Sequence, residues 1–235
     1  MSYESRSEKT VLIVGASRGL GYAMAEEFLN RGWNVVGTVR GSARTPLHEL
    51  ARRSPGRVEI EAIDITVPEQ IAALRARLRG RKLDMLFVNA GVTNNPKETI
   101  GEVSTEEFVR IMVTNALSPM RVVEALYDVV ADEGTIGVMS SGQGSVANNT
   151  NGMRDVYRGS KAALNTFMRG FAARHCDDQR AMILMAPGWV RTEMGGPDAR
   201  FSIEESIPNV VNVLEAAYGH GGLRYLDYLG RTVPW

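Results

Sequence analysis

Short apolar runs that alternate with longer stretches of helical period constrain this chain more than any other feature. Six such runs stand out, at 11–14, 34–39, 58–63, 85–88, 135–139 and 181–186. Most are apolar at nearly every position, as strands buried on both faces should be. Between and after them lie stretches of helical spacing at about 20–31, 68–79, 105–131, 156–176 and 203–218. This alternation predicts a parallel sheet with helices on both faces and right-handed crossovers. No Pro/Ser linker, charge block or internal repeat divides the chain, so residues 1–235 read as a single doubly wound α/β (Rossmann) domain. The least regular segment, 195–201, reads as part of a mobile loop inside that domain, spanning about 193–202.

Composition removes several function classes. Lys+Arg and Asp+Glu both number 27, giving zero net charge, which argues against a nucleic-acid binder or a basic membrane-surface protein. No apolar run approaches the roughly 20 residues of a membrane span. The first ten residues, MSYESRSEKT, are polar and mixed in charge, unlike a signal peptide. A lone cysteine, Cys176, allows no intrachain disulfide and fits a reducing compartment, so a cytoplasmic location is expected. His175-Cys176-Asp177-Asp178 carries ligand-type side chains. Consecutive positions do not converge on one ion, and no metal site is expected.

Directly after the first run comes Gly15-Ala16-Ser17-Arg18-Gly19-Leu20-Gly21, followed by a helical stretch. Glycines permit positive φ and close approach of a ligand to the backbone. A helix N-terminus offers unpaired N–H groups to a pyrophosphate. The spacing is G-x3-G-x-G, neither the usual dinucleotide fingerprint nor a P-loop. A Gly-rich turn needed only for packing is the competing reading. The second run ends Thr38-Val39-Arg40, without the acidic residue that would accept from the ribose 2′-hydroxyl of NAD. Arg40, with Arg18 as a second guanidinium, could instead pair with a 2′-phosphate. NADP(H) is therefore the expected dinucleotide, with NAD(H) as the lesser alternative. The competing reading is two solvated arginines.

Tyr157 and Lys161 are four residues apart and share one helix face. A nearby ammonium stabilises a phenolate and is expected to lower the Tyr pKa from its ordinary value near 10, as acid–base work at neutral pH requires. Asn115 lies four residues before Pro119, which has no N–H. In a helix its carbonyl is left without a partner, free to hold a water, and a local kink is expected.

Taken in order, Gly15-x3-Gly19-x-Gly21, Asn89-Ala90-Gly91, Asn115, Ser140-Ser141, Tyr157-x3-Lys161 and Pro187-Gly188-Trp189-Val190-Arg191-Thr192 resemble the short-chain dehydrogenase/reductase family over nearly the whole chain. The stretch 157–165 and the ending 226–235 are similar to a subgroup of small carbonyl reductases that includes the C-signal protein of fruiting bacteria. The resemblance implies strand order 3-2-1-4-5-6-7 and the interconversion of a small carbonyl compound and an alcohol by hydride transfer. It implies Tyr157 as acid/base, Lys161 as holder of the nicotinamide ribose, Ser141 as donor to the substrate oxygen and Asn115 in a water-mediated relay. Gly15, Ser17, Arg18, Gly19, Leu20, Gly21, Arg40, Asp64, Ile65, Asn89, Ala90, Gly91, Pro187, Gly188, Val190 and Thr192 would form the rest of the cofactor shell.

The interval from Ser141 to Tyr157 is a few residues longer than is common in the family, which leaves Ser140 as the fallback. Substrate walls are expected at 92–95, 143–154, Trp189 and 195–201, with Trp189 either core or a cap on the nicotinamide pocket. The stretches 105–131 and 156–176 carry more apolar residues than one sheet-facing side needs. Phe108, Ile111, Met112, Met120, Val123, Leu126, Leu164, Phe167, Met168 and Phe171 therefore predict a homodimer or homotetramer. The rival function, a non-catalytic nucleotide-binding signalling protein on the same fold, has the intact Ser141, Tyr157, Lys161 and Asn115 against it.

Overall fold

A computed structural model describes residues 8–235; most of the polar start lies outside the described residues. Seven strands form one parallel sheet in the order β3-β2-β1-β4-β5-β6-β7. They are β1 (Thr10–Val14), β2 (Asn34–Val39), β3 (Val58–Ala62), β4 (Leu83–Val88), β5 (Val130–Met139), β6 (Ala181–Ala186) and β7 (Gly222–Asp227). The helices are α1 (Gly19–Asn30), α2 (Pro46–Arg53), α3 (Pro68–Arg77), α4 (Thr105–Met112), α5 (Ser118–Leu126), α6 (Asp155–Arg174) and α7 (Ile203–Ala217).

Successive side chains of a strand point to opposite faces, and the core divides accordingly. Leu12, Val14, Leu86, Val88, Ile136 and Val138 join Leu74 of α3, Val123 of α5 and Leu164, Met168 and Phe171 of α6. Val11, Ile13, Val35, Met85, Phe87 and Ile183 join Phe28 of α1, Leu47 of α2 and Val210 and Leu214 of α7. The near-continuous apolar runs are thus the signature of a sheet covered on both sides. After β3 the chain returns to place β4 on the other side of β1. That reversal opens a crevice beyond the C-terminal ends of β1 and β4, where open α/β sheets bind their ligands.

Three elements differ from the sequence expectation. The helical stretch 105–131 is broken into α4, a π turn (Val113–Leu117), α5 and a short 3-10 turn (Tyr127–Val129), and β5 begins at Val130. The π turn is the expected kink: Pro119 supplies no N–H, and the ladder widens so that Ser118 N–H donates to the carbonyl of Val113, five residues back. α2 carries no long apolar pattern and is set up by its first turn. Thr45 and His48 cap each other through Nδ1, 3.1 Å from the Thr45 nitrogen and 3.0 Å from its hydroxyl, just ahead of Pro46. β7 was hidden because its sequence, GLRYLD, is mixed rather than apolar.

Candidate active site

The crevice is built from backbone first. At Gly15 the chain turns with φ +91°, and a Cβ there would stand 2.9 Å from the backbone of Ala90. A Cβ on Gly21 would stand 2.0 Å from the carbonyl oxygen of Gly15, so the first turn of α1 sits against the end of β1 at a distance only glycine allows. Asn89 donates its amide to the Gly15 carbonyl at 2.8 Å. Gly15 N–H donates to Thr38 Oγ1 at 2.9 Å, and Ala16 N–H to the Thr38 carbonyl at 2.8 Å. Thr38, which sequence reasoning passed over as one residue of an apolar run, fixes the loop. No side chain caps the start of α1 and no acidic residue occupies its first turn. The cradle leaves helix N–H groups for an anion, and the loop fits a dinucleotide pyrophosphate.

Arg40 follows β2 and is exposed, whereas Val39 is buried. Asp64, beyond β3, accepts from the Thr66 N–H at 2.9 Å and the Thr66 hydroxyl at 2.7 Å. Partial burial raises its pKa, but the Thr66 bonds and the Arg40 charge together bring it below the ordinary value. Ile65 beside it is buried. Arg18 has a different partner from the one expected: it forms an ion pair with Glu193, both side chains largely exposed. No sequence motif marked Glu193; the pairing exists only because the segment after β6 comes over the Gly loop.

α6 carries Tyr157 and Lys161 into the crevice. Ser141, past the end of β5, accepts from Gln143 N–H at 3.1 Å and lies close enough to Tyr157 for its hydroxyl to lower the phenol pKa. Ser140 points away, buried, with its hydroxyl 2.6 Å from Asn165 Oδ1. Ser141 is thus the serine that faces the tyrosine, despite the long interval between them. That interval is taken up by a 3-10 turn (Gly142–Gly144) and the loop that follows it. Asn165 Nδ2 donates to the Gly144 carbonyl at 3.3 Å, and Tyr225 donates its hydroxyl to the carbonyl of Ser141. These two residues hold the Ser141 turn in place and carry no chemistry-bearing motif that sequence could have revealed.

Lys161 is 3% exposed and donates to the carbonyl of Met139 at 2.8 Å. Burial lowers its pKa from the ordinary 10.5 to about 8. Its ammonium lies 6.0 Å from the centre of the Tyr157 ring. The expected lowering of the Tyr157 pKa is not what the structure gives. Burial raises it, and the Ser141 hydroxyl and the Arg154 charge offset this only in part. The physical reason is that the ammonium is spent on the Met139 carbonyl while the phenol is desolvated.

Asn115, fully buried in the π turn, accepts from Val92 N–H at 2.8 Å and donates to the Val92 carbonyl at 2.8 Å and to Ser160 Oγ at 3.0 Å. Its side chain is a clamp between the end of β4 and α6. Any water it holds must therefore use the backbone carbonyl that Pro119 leaves without an i+4 donor.

Beyond β6, Gly188 has φ +88°, and the carbonyl of Pro187 accepts from Ser206 at 2.7 Å. Val190 is buried and bridges to Phe201. Thr192 Oγ1 accepts from Gly195 N–H at 3.0 Å. The segment read as loose is laced by backbone bonds: Phe201 N–H to the Trp189 carbonyl at 3.0 Å and Arg191 N–H to the Phe201 carbonyl at 2.8 Å. Trp189 is not core: half of it is exposed, with its indole N–H donating to the Gly195 carbonyl at 2.8 Å.

The buried lysine yields a signed stability prediction. A Lys whose pKa is depressed on folding contributes stability that is present above 10.5 and lost as pH falls through about 8. Lys161→Met should therefore raise the stability of the cofactor-free protein at pH 7 by roughly 1–3 kcal/mol, after the orphaned Met139 carbonyl is counted. The difference from wild type should shrink as pH rises from 8 towards 10.5. Denaturant melts of both proteins at pH 7 and pH 10 check this; a constant difference would show that Lys161 is not held at an unfavourable charge.

The geometry can be set beside known proteins. The family profile for short chain dehydrogenases matches residues 9–201. The chain is 34% identical over 155 residues to C-signal of Myxococcus xanthus, covering 65% of this chain and 93% of that one. A structure from Burkholderia multivorans, described as a short-chain dehydrogenase/reductase with bound NADP, superposes with a TM-score of 0.96 at 66% identity, covering 97% of this chain and all of the other. A carbonyl reductase of Pseudomonas aeruginosa PAO1 in complex with NADP gives a TM-score of 0.90 at 36% identity, again over 97% of this chain and all of the other. With the ordered motifs, the strand order and the Ser141–Tyr157–Lys161 cluster all agreeing, this chain belongs to the short-chain dehydrogenase/reductase family.

Proposed function

We propose that the chain is an NADP(H)-dependent oxidoreductase that interconverts a small carbonyl compound and an alcohol, with residues 1–235 acting as one catalytic unit in the cytoplasm. The observation that carries this reading is Tyr157 seated beside Ser141 and a buried Lys161, whose ammonium lies 6.0 Å from the phenol ring, at the mouth of a glycine cradle. The cofactor, when bound, supplies the hydride. Gly15, Ser17, Gly19, Leu20 and Gly21 would hold its pyrophosphate. Arg40 would hold the 2′-phosphate, with Arg18 joining it once released from Glu193. Asp64 and Ile65 would flank the adenine. Asn89, Ala90, Gly91, Pro187, Gly188, Val190 and Thr192 would line the nicotinamide half, and Lys161 would hold its ribose. Solved relatives crystallised with NADP support the choice of dinucleotide.

Tyr157 would deliver its proton to the carbonyl oxygen, which Ser141 holds by a second hydrogen bond. A phenol kept protonated by burial suits the reducing direction at neutral pH. Lys161 would lower the Tyr157 pKa only when its ammonium is drawn from Met139 towards the ribose. Proton resupply would run through the Asn115 carbonyl and water. The segment 193–202 would close over the substrate.

Assembly follows from the helix surfaces. Of the residues expected to give a surplus apolar face, Met120, Val123, Leu126, Leu164, Met168 and Phe171 are consumed by the sheet-facing core, and Ile111 is buried outside it. What remains exposed is Phe108, Val109, Leu117 and Phe167 on α4, the π turn and α6. Beside Leu117 and Phe167 lies a groove of about 540 Å³ that Met120, Arg121, Glu124 and Ala125 also line. A second copy burying this face in a homodimer, or in a homotetramer built from it, fits its mixed apolar and charged lining.

Three outcomes are expected. Tyr157→Phe should lower carbonyl reduction by roughly a hundredfold or more with NADPH affinity retained, by steady-state kinetics and fluorescence titration; near-normal turnover would remove Tyr157 as the acid. NADPH should bind about ten- to a hundredfold more tightly than NADH, and Arg40→Ala should abolish the difference; equal affinities in the wild type would show that Arg40 serves another purpose. Phe167→Glu should convert a dimer or tetramer to monomers by light scattering at micromolar concentration, and a monomeric wild type would overturn the assembly.

A further inference from the structure

Arg154 is a cation the mechanism does not use. It immediately precedes α6, one turn before Tyr157, with a left-handed backbone (φ 58°, ψ 37°). Met153 before it is also left-handed, at φ 65°. For residues other than glycine this conformation is costly and persists only where the surroundings hold it. Here they do. Arg154 N–H donates to the Pro96 carbonyl at 3.3 Å, and the Asp155 carboxylate accepts from Ile100 N–H at 3.0 Å. The turn before α6 is thereby fastened to the segment after β4, on the C-terminal side of the sheet where Ser141 and Tyr157 lie.

The Arg154 side chain is half-buried, and its guanidinium forms no hydrogen bond or ion pair among the described residues. Its neighbours are committed. Arg158 donates to the Met153 carbonyl and to Asn151, both at 2.9 Å; Arg191 donates to the Ala199 carbonyl at 2.9 Å; Arg18 pairs with Glu193. The acid on the facing segment, Glu98, accepts from Asn94 at 3.1 Å. Arg154 is also near enough to Tyr157 for its charge to favour the phenolate. Large apolar side chains are exposed on the connections leaving β5 and β6: Val146, Met153, Trp189 and Met194. A partly desolvated, uncommitted guanidinium on the connection that also exposes Val146 and Met153, and within electrostatic reach of Tyr157, is a recognition site for an anion.

We propose that Arg154 binds a carboxylate of the substrate, so that the enzyme acts on carbonyl compounds carrying an apolar body and one carboxylate, seated with the carbonyl at Tyr157 and the acid about one helical turn away. A single planar guanidinium matches a singly charged carboxylate bidentately, whereas a phosphate dianion calls for further donors. The proposal rests on the carbonyl-reducing reading above.

The test compares 4-oxo-4-phenylbutanoate with its methyl ester, reduced with NADPH at pH 7 by wild type, Arg154→Asn and Arg154→Lys. Asn tolerates the left-handed backbone, so the turn survives; Lys keeps the charge without the fork. The wild type should prefer the acid over the ester by about ten- to a hundredfold in kcat/KM. Arg154→Asn should erase that preference through the KM of the acid and leave the ester little changed, because the ester presents no carboxylate to the guanidinium. Arg154→Lys should retain part of the preference. Equal kcat/KM for acid and ester in the wild type, or an equal loss on both in Arg154→Asn, would overturn the proposal. Should neither compound turn over, the carbonyl-reducing reading fails instead. Calorimetry of 4-phenylbutanoate with the NADP+ complex then decides the site: binding lost in Arg154→Asn supports it, and binding that is absent or unchanged overturns it.

Discussion

The contact on which the rest of the structure depends is the closure of the Gly15 turn. The end of β1, the start of α1 and the end of β4 meet there around the Asn89 amide, at a distance only glycine allows. Gly21 stands where a Cβ would reach 2.0 Å from the Gly15 carbonyl, and Asn89 donates to that same oxygen at 2.8 Å. One carbonyl therefore fixes how closely α1 approaches the sheet and where the β4 loop lies. Everything placed on those two elements inherits the register: the uncapped helix N-terminus on one side and Gly91, with Asn115 and Lys161 behind it, on the other. The arrangement also explains why the crevice opens at this point. The strand order reverses between β1 and β4, and no crossover helix fills the gap.

The candidate site depends on a second layer of buried polar contacts. Lys161 is desolvated and tied to Met139; Ser140 is tied to Asn165; Asn165 and Tyr225 support the turn that carries Ser141. Such a network is expensive to bury and useful because it allows few alternatives. It leaves Tyr157 and Lys161 desolvated. Tyr157 is pushed towards the neutral phenol and Lys161 towards a weaker cation. Both shifts come from removing water, and both would be relieved by groups that arrive with a ligand. The Arg18–Glu193 pair has the same character on the cofactor side. It is an exposed contact worth little in itself, so a phosphate could displace it at small cost.

Most of the architecture was legible in the residues. Runs such as 11–14 and 181–186 are apolar throughout because both faces of the sheet are covered, and that pattern separates a buried parallel strand from an exposed one. The kink near Asn115 was legible because a proline cannot donate a hydrogen bond, whatever surrounds it. Tyr157 and Lys161 share a face because helical spacing requires it. The elements without a local pattern, α2 and β7, are legible only through the family resemblance, which implied a seventh strand, or not at all: α2 is organised by a Thr45–His48 cap, and β7 by its pairing with β6.

What the sequence determined by itself are therefore the properties that depend on neighbours along the chain: strand runs, the glycine turn, the proline break and the spacing of Tyr157 and Lys161. The tertiary structure decided which serine faces the tyrosine, which arginine is engaged and which is free, and the direction of the Tyr157 pKa. The resemblance favoured Ser141 with Ser140 as the fallback, and the fold separates them: Asn165, 25 residues from Ser140, takes that serine. The phenol pKa depends on how much water the fold excludes and on where the lysine finds a carbonyl. Both are sums over groups remote in sequence, and only the packed chain brings those groups together.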